Sequence, residues 1–408
     1  MITRVRIKNF GSIADVDVKL GQLTVLVGKN GSGKSTFLEA LSFLRDAVKP
    51  GVGLEVAIVS RKGLRFISHQ TSDQKFHDIE IEVTIEGNGF WAEYGFVLSG
   101  DVTNVEMSSE DPDGMIFETY KSIVRIKREF CRIGKSEDQA GVAFEIADGK
   151  QISAPLKSSG TDNIKHFTLR TGRMQLILPV LSLLNPELSR LVDHLASSMF
   201  YTISPNAIGG LQSDLPNFEL FEQGNNLASV LVRLFKRQSK HRLLSVLGAV
   251  IDDLADIKVE PIGNYLVVKV LHKTAEKEVW LDLSQESDGT KRLLFLLVAL
   301  YQGGLLELLA IEEPELALHP GALGILSEVL REASLRHQIL ITTQSPDLIS
   351  QFSPNELRVV TRIEGATRIS PLEDRQIDAI NEELFSAGDL LRIEGLRPAD
   401  EMADAANA

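Results

Sequence analysis

The sequence predicts an α/β fold in which apolar strands carry a phosphate-binding site at their carboxyl ends. Three observations predict it. An apolar run, 23–27, leads into the glycine-rich loop 28–36 and then into a helix with an apolar face. A second apolar run, 305–311, leads into two glutamates, and a third strand-like segment, 337–347, ends in polar residues. Open α/β sheets bind ligands at the carboxyl ends of their strands, so the three segments predict the parts of one site.

The loop 28–36, GKNGSGKST, has the complete pattern of a phosphate-binding loop. Its glycines allow backbone angles that are closed to other residues and let the chain approach a phosphate. The backbone N–H groups converge on the β-phosphate at a helix start, where the helix dipole favours negative charge. Lys34 adds a positive charge between the β- and γ-phosphates, and the Ser35 hydroxyl is a ligand for Mg²⁺. The loop therefore predicts ATP and Mg²⁺ as cofactors, bound by Gly28, Asn30, Gly31, Ser32, Gly33, Lys34, Ser35 and Thr36.

The pair of acids after the second apolar run is typical of a Walker B strand. Glu312 is predicted to hold the metal together with Ser35, and Glu313 to accept a proton from the attacking water. Pro314 ends the hydrogen bonding of the strand, so both acids project from its carboxyl end. Paired acids are also common in surface turns, and the upstream loop is the reason to prefer the catalytic interpretation.

Two further segments complete the candidate site. Ser287 and Gly289 open a helical run and predict a second anion site at a helix start. One nucleotide rarely needs two such sites from one subunit, which indicates that this pair contacts a nucleotide bound to another copy. The alternative is a polar cap on a core helix. Gln344 follows the third strand and is placed to contact the γ-phosphate, with a simple turn as the alternative.

The composition limits the class of protein. The chain has 408 residues, of which 43% are hydrophobic and 24% charged, as is ordinary for a globular protein. A net charge of −13 argues against a surface that coats nucleic acid everywhere, although a local basic patch can still bind. Cys131 is the only cysteine, which excludes an intramolecular disulfide. The sequence lacks a signal-peptide pattern and an apolar run long enough for a bilayer, and it predicts a cytoplasmic protein without a membrane partner.

Taken in order, these motifs resemble those of the RecF/SMC-type ATPases of the ABC class. Within that class they are similar to the stand-alone AAA-type ATPases that include OLD-like and anti-phage defence proteins. The resemblance covers residues 1–372 and also rests on 7–13 (IKNFGSI), 224–228 (GNNLA) and 318–320 (LHP). The segment 287–292 (SDGTKR) resembles a degenerate form of the family's signature motif.

The resemblance implies a P-loop NTPase with an ABC-type two-lobed ATPase head and a helical insertion. The implied N-terminal lobe is 1–163, and the helical insertion is 164–255. The implied C-terminal lobe is 256–372, followed by a short helical or disordered tail, 373–408. Strand-like runs before the insertion and helical periodicity within it agree with this division.

The resemblance also implies a homodimer in which two heads enclose ATP. Ser287 and Gly289 of one copy would close over the γ-phosphate held by Lys34 of the other, and hydrolysis through Glu313 would release the dimer. The expected roles are DNA repair and anti-phage defence, with DNA or a separately encoded nuclease or other effector as partner. Two alternatives stay open. One is a nucleotide sensor or scaffold without hydrolysis, and the less favoured one is the ATP-binding subunit of a transporter.

Two residues depart from the family pattern. Glu312 replaces the usual aspartate, which extends the metal-binding carboxylate by one methylene. Gln344 replaces the usual switch histidine. A glutamine cannot carry a proton, but it can orient water or form a hydrogen bond with a phosphate. We therefore expect slow hydrolysis that depends on a partner.

A basic segment, 232–242, is a candidate contact for DNA or for an acidic partner. Arg233, Lys236, Arg237 and Lys240 recur at helical spacing, which predicts that they share one helix face. Such a face can contact a phosphate backbone. The alternative is a solvated helix face.

Overall fold

The computed structural model describes residues 1–69, 76–103, 109–110, 116–117, 121–147, 156–157, 164–165, 174–216, 219–236, 239–304 and 306–399. In chain order its strands are β1 Ile2–Phe10, β2 Ile13–Lys19, β3 Leu23–Val27, β4 Ile79–Gly87, β5 Phe90–Thr103, β6 Ser109–Glu110, β7 Ile116–Phe117, β8 Lys121–Gly134, β9 Gly141–Ala147, β10 Leu156–Lys157, β11 Ile164–Lys165, β12 Met199–Tyr201, β13 Gln212–Ser213, β14 Leu254–Ile262, β15 Tyr265–Lys273, β16 Glu278–Asp282, β17 Leu308–Glu312, β18 Gln338–Thr343, β19 Leu357–Ile363 and β20 Ala366–Ser370. Its α-helices are α1 Lys34–Val48, α2 Gly53–Val59, α3 Leu64–Ile67, α4 Leu178–Ser182, α5 Pro186–Ala196, α6 Pro205–Gly209, α7 Leu227–Lys236, α8 Lys240–Val250, α9 Asp288–Tyr301, α10 Leu323–Ser334, α11 Pro346–Ile349, α12 Asp374–Asn381 and α13 Ala387–Ile393.

The chain forms two compact units, and each is assembled from separate stretches of sequence. The first unit contains Met1–Gly21, Gly31–Ser198 and Val360–Ile369. The second unit contains Gln22–Asn30, Met199–Val359 and Ser370–Ala408.

These boundaries differ from those expected from the sequence. The expected helical insertion, 164–255, is divided at Ser198, so that α4 and α5 belong to the first unit and α7 and α8 to the second. Between them lies the strand β12, which pairs in parallel with β17. Residues 7–13, one of the segments on which the family resemblance rests, span the turn between β1 and β2. The difference arises because local periodicity identifies helices but does not show which sheet they pack against.

The first unit is built on an antiparallel sheet with the strand order β2-β1-β4-β5-β8-β9. Side chains alternate along its strands, and Val5 and Ile7 on one face of β1 are fully buried. Helix α1 packs on this unit through the Phe43 ring, whose centroid lies 5.7 Å from Phe10 and 6.3 Å from Phe96. These aromatic contacts hold the helix that follows the glycine-rich loop.

The second unit is built on parallel strands in the order β12-β17-β18-β3-β19. The register pairs Thr343 with Val27 and Glu312 with Thr342, so β3, β17 and β18 end side by side at one edge. Helix α9 is apolar all round and lies in the core of this unit, where each residue in 293–300 is at most 2% exposed. A smaller antiparallel sheet has the order β13-β15-β14, with β16 pairing β15.

Between residue 373 and the last described residue, 399, lie the helices α12 and α13, and α13 packs on the short helix α11. A Cβ at Gly388 would lie 2.1 Å from the carbonyl oxygen of Pro346, so α13 approaches the backbone of α11 closely. The Ser350 hydroxyl donates to Ser386 Oγ at 3.1 Å. The end of the chain therefore supports the segment that follows Gln344.

A fully buried carboxylate joins the sheet of the first unit to the start of α4. Glu129 of β8 accepts hydrogen bonds from the backbone N–H groups of Ile177, at 2.7 Å, and Leu178, at 2.9 Å. The hydroxyl of Tyr94 donates to the same carboxylate at 3.1 Å. Burial raises the pKa of Glu129 to about 7, although the three donors act in the opposite direction.

This carboxylate predicts a pH-dependent stability. Between pH 4.5 and about 7 the unfolded chain ionises Glu129 before the folded chain does, so stability is lost as the pH rises through this window. The expected loss is roughly 3 kcal/mol at most. In Glu129→Gln the free energy of unfolding, measured by denaturant titration, should therefore decrease less than in wild type as the pH rises from 4.5 to 8. Glu145→Gln, which removes an exposed carboxylate on β9, is the control and should keep the wild-type slope. Equal slopes for Glu129→Gln and wild type would contradict this account.

Candidate functional site

The glycine-rich loop connects β3 to α1 and takes a backbone path that depends on glycine. Gly31 has a φ of +75° and Gly33 a φ of +108°, both in the left-handed region. A Cβ at Gly33 would lie 2.0 Å from Thr367 Oγ1, so another residue would collide with β20. A Cβ at Gly31 would meet nothing within 4 Å. The loop is thus closely packed at Gly33 and open at Gly31.

Two hydroxyl residues of the first unit hold the loop from behind. Thr367 Oγ1 donates to the carbonyl oxygen of Ser32 at 2.9 Å and lies 2.7 Å from Ser12 Oγ. Ser12 Oγ lies 3.1 Å from Thr36 Oγ1, and the Thr367 N–H donates to the Ser12 carbonyl at 2.7 Å. The turn between β1 and β2 and the strand β20 therefore clasp the loop. Sequence reasoning missed both residues. Ser12 lies in the motif 7–13, but Thr367 carries no local signal.

The polar groups of the loop fit a bound nucleotide. Ser32 Oγ is buried and has no hydrogen-bond partner among the described residues, and a phosphate oxygen would satisfy it. Lys34 is only 6% exposed at the start of α1, whereas Ser35 is exposed. The hydroxyl of Ser35 and the carboxylate of Glu312 are oxygen donors, the kind that Mg²⁺ prefers. The donor set of the chain thus suits a nucleotide with its magnesium ion.

The structure brings Glu313 and Gln344 together at the edge where β17 and β18 end. Gln344 Nε2 donates to Glu313 Oε1 at 3.2 Å. Glu313 has a φ of +43°, and its N–H donates to the carbonyl of Thr342 at 3.0 Å, with Thr342 Oγ1 at 3.3 Å. A non-glycine residue in this conformation is strained and needs such support. Because Thr343 pairs with Val27, the glycine-rich loop leaves the sheet from the neighbouring strand.

Glu315 is the third glutamate of the segment 312–315, the EEPE segment, and it forms a hydrogen bond with the end of β18. The Thr343 hydroxyl donates to Glu315 Oε1, and its oxygen also accepts from the N–H of Ser345 at 3.0 Å. Burial raises the pKa of Glu315, and the hydrogen bond from Thr343 opposes that rise. Glu315 thereby links the segment after Glu313 to the segment after β18. The motif alone does not distinguish this role from catalysis.

The expected signature residues lie at the start of α9. Ser287 Oγ accepts from the N–H of Thr290 at 3.1 Å, and its side chain is exposed. A Cβ at Gly289 would lie 2.5 Å from the carbonyl oxygen of Ala317, which itself has a φ of +63°. Gly289 is therefore required for close packing against the turn that follows the EEPE segment. Both sequence interpretations of Ser287, as a helix cap and as an exposed polar group, agree with this position.

The prediction that four cations share one helix face is wrong. Helix α7 ends at Lys236 and α8 begins at Lys240, while Arg237 lies outside the described residues. Arg233 Nη2 donates to the carbonyl of Leu215 at 2.7 Å, and Lys240 Nζ lies 2.6 Å from Asp256 Oδ1. The cations keep a helical spacing in the sequence although they belong to two separate helices, and spacing alone does not show where one helix ends and the next begins.

The segment that contains His69 and Gln70 is described only in part. His69 Nδ1 lies 2.8 Å from the carbonyl oxygen of Gly11, and Gln70 lies outside the described residues. Within the described part of the chain, every helix is too short or too polar to cross a bilayer. The cytoplasmic location stays a prediction.

Two family models of AAA domains match separate parts of the chain. Residues 162–350 match a family described as "AAA domain, putative AbiEii toxin, Type IV TA system", and residues 1–137 match one described as "AAA ATPase domain". An OLD nuclease of Thermus scotoductus is 42% identical over 52 residues. That match covers 13% of this chain and only 10% of the nuclease.

Solved structures resemble the chain over nearly its whole length. An SMC head bound to the C-terminal winged-helix domain of ScpA superposes with a TM-score of 0.54 at 13% identity, covering 92% of this chain and 99% of that one. The SMC head domain from Thermotoga maritima has a TM-score of 0.46 at 14% identity, covering 91% and 99%. The first similarity shows the fold, and the predicted α/β P-loop fold with an ABC-type head is confirmed.

The clasp behind the loop predicts an effect on nucleotide affinity. Thr367→Val keeps the shape of the side chain but leaves the buried Ser32 carbonyl without its hydroxyl donor. A lost hydrogen bond at this point should lower ATP affinity about tenfold, measured by isothermal titration calorimetry. Thr361→Val is the matched control. Thr361 Oγ1 is buried on the same hairpin without a hydrogen-bond partner among the described residues, so this change should be neutral. Wild-type affinity in Thr367→Val would show that the clasp does not support the loop.

Proposed function

Since the chain is an ABC-type ATPase head of the RecF/SMC kind with sequence similarity to an OLD nuclease, we propose that it is a Mg²⁺-dependent ATPase switch. The observation that carries the proposal is the pairing of Glu313 with Gln344 at the carboxyl edge of the sheet. The strand before the glycine-rich loop ends at the same edge. A base, a polar group that orients water and a phosphate-binding loop are the parts that phosphoryl transfer to water requires.

Binding is assigned to the loop and to the first acid of the EEPE segment. The loop N–H groups, Lys34 and Ser32 Oγ hold the β- and γ-phosphates, and Ser35 and Glu312 hold the metal ion. Held by Ser35 and Glu312, a Mg²⁺ ion would supply positive charge against the negative charge of the phosphates. The longer side chain of Glu312, compared with the aspartate of related proteins, places this carboxylate further from the strand.

Hydrolysis is assigned to Glu313, which accepts the proton of the attacking water. Gln344 holds the Glu313 carboxylate through its amide N–H and leaves its own carbonyl oxygen to orient the water. An amide cannot carry a proton, so Glu313 is the group of this pair that can accept one from the water. Turnover is therefore expected to be slow until a partner improves the geometry.

The active form is proposed to be a homodimer with ATP between the two heads. The exposed Ser287 and the adjacent Gly289 of one copy close over the γ-phosphate bound by Lys34 of the other. The packing of Gly289 on Ala317 supports this arrangement, because it connects the signature segment to the turn after Glu313. Hydrolysis at one site can thereby change the surface offered to the other copy.

The proposed biological role is in DNA repair or anti-phage defence, with DNA or a separately encoded nuclease or other effector as partner. The similarity to an OLD nuclease over 52 residues and to AbiEii-type AAA domains supports this role.

A second candidate is a nucleotide sensor or scaffold that does not hydrolyse ATP. The hydrogen bond between Gln344 and Glu313 favours it, since it occupies the base with a group that cannot relay a proton.

Steady-state turnover tests the proposal. In Glu313→Gln the turnover should fall by roughly 10²- to 10⁴-fold, because the general base is lost, while ATP binding is kept. Glu328→Gln, an exposed glutamate on α10, is the control and should match wild type. Equal turnover in Glu313→Gln and wild type would exclude Glu313 as the base. If wild type and Glu313→Gln both lack turnover but bind ATP, the sensor is the correct function. Stimulation by linear duplex DNA at low salt would support DNA as the partner.

Mixing two inactive variants tests the dimer. Lys34→Ala removes the phosphate charge, and Ser287→Arg blocks the signature segment. In a mixed dimer one site combines the intact loop of the Ser287→Arg copy with the intact signature of the Lys34→Ala copy. Each variant alone should be inactive, and an equal mixture should recover about a quarter of wild-type turnover if subunits pair at random and each site works alone. No recovery in a mixture shown to contain mixed dimers would exclude sites shared between copies.

A further inference from the structure

The imidazole of His272 lies between two carboxylates in the second unit. Its Nδ1 is 3.0 Å from Asp253 Oδ1, and its Nε2 is 2.8 Å from Glu286 Oε1. A neutral imidazole has one nitrogen that donates and one that accepts, whereas an ionised carboxylate only accepts. Both contacts are therefore satisfied only when the ring is a doubly protonated imidazolium.

The two carboxylates belong to different segments of the unit. Asp253 lies in the link between α8 and β14, and its carbonyl accepts from the N–H of Lys273 at 2.8 Å. Glu286 directly precedes Ser287, and its side chain is only 6% exposed. The imidazolium of His272, on β15, thus connects the link between α8 and β14 to Glu286, which directly precedes the signature segment 287–292.

Other charged groups of the surrounding elements pair with one another. On β14, β15 and β16 the pairs are Lys273 with Glu278, at 2.6 Å, Lys258 with Glu260, at 2.7 Å, and Lys269 with Glu260 and Asp282, at 3.2 and 3.6 Å. Lys240 of α8 pairs with Asp256 of β14 at 2.6 Å. From α7, Arg233 donates to the Leu215 carbonyl. Within the described residues, Asp253 and Glu286 are the charged groups in contact with the ring. Their two negative charges make the positive ring the stable form of this triad.

We propose that His272, as an imidazolium, is a positioning residue for the signature segment. It holds Glu286, and through Glu286 it sets the location of Ser287 and Gly289 over the γ-phosphate bound by a second copy. This inference rests on the proposed ATP-dependent dimer. His272 contacts no nucleotide itself and acts only through the segment that it holds.

The inference has a definite dependence on pH. Burial lowers the pKa of His272, but the hydrogen bonds with Glu286 and Asp253 outweigh it and hold the pKa above its usual value of 6.5. The bridge is therefore complete below pH 6.5 and is lost as the pH rises through the raised pKa. Deprotonation leaves one of the two carboxylates facing a lone pair, which breaks the connection between Asp253 and Glu286 through the ring. Closure over ATP should accordingly weaken on the alkaline side.

The test compares wild type with His272→Gln and Glu286→Gln between pH 6 and 9.5. In wild type, kcat should decrease at alkaline pH, and in both variants this decrease should be absent. At pH 7 the kcat of both variants should be about tenfold lower than that of wild type, as expected for a lost charged hydrogen bond. ATP affinity, measured in a Ser287→Arg background that cannot close the dimer, should stay unchanged. His241→Gln, an exposed histidine on α8, is the control and should keep the wild-type profile.

A second readout does not depend on turnover. In the Glu313→Gln background the ATP-dependent dimer should weaken with rising pH, and adding His272→Gln should remove this dependence. An alkaline limb and a dimer dependence that persist in both variants would overturn the inference and leave the ATPase dimer standing. If wild type lacks turnover and Glu313→Gln lacks an ATP-dependent dimer at every pH, the proposed function and the inference both fail. Glu286→Gln serves as the decisive variant if His272→Gln does not fold.

Discussion

The parallel pairing of β3, β17 and β18 is the constraint on which the rest of the candidate site depends. These strands come from opposite ends of the sequence, and their register places Val27, Glu312 and Thr343 side by side at one edge. Parallel strands cannot be joined by a tight turn, so the connections between them are long and contain whole elements. As a result, the loop that follows β3 and the acids that follow β17 leave the sheet at one edge.

Tight packing at a few backbone positions gives the site its shape. Gly33 lies against Thr367, and Gly289 lies against Ala317, so neither position has room for a Cβ. Glu313 has a positive φ that its two hydrogen bonds to Thr342 maintain. A positive φ at a non-glycine residue such as Glu313 persists only where the surrounding structure supports it. All three positions belong to motifs predicted to act on the nucleotide.

Several ionisable side chains of this protein form hydrogen bonds or ion pairs between separate segments of the chain. Glu129 joins a strand to the start of α4, and Glu315 joins the segments that follow β17 and β18. His272 joins Asp253 to Glu286 in the same way. In a protein with a net charge of −13, cations such as Lys240 also find acidic partners within the fold. This pairing lowers the local positive potential that contact with a phosphate backbone would need.

The sequence by itself determined the fold class, the glycine-rich loop and the paired acids, because each is recorded in local spacing. The strand-like runs expected before residue 164 also agree with the strands that build the sheet of the first unit. Only the tertiary structure decided that the segment 164–255 is divided between two units and that a helix break follows Lys236. It also decided the contacts of Thr367 with Ser32 and of His272 with its two carboxylates. These contacts join residues that are distant in the chain, and local periodicity carries no record of which distant segment a side chain will meet.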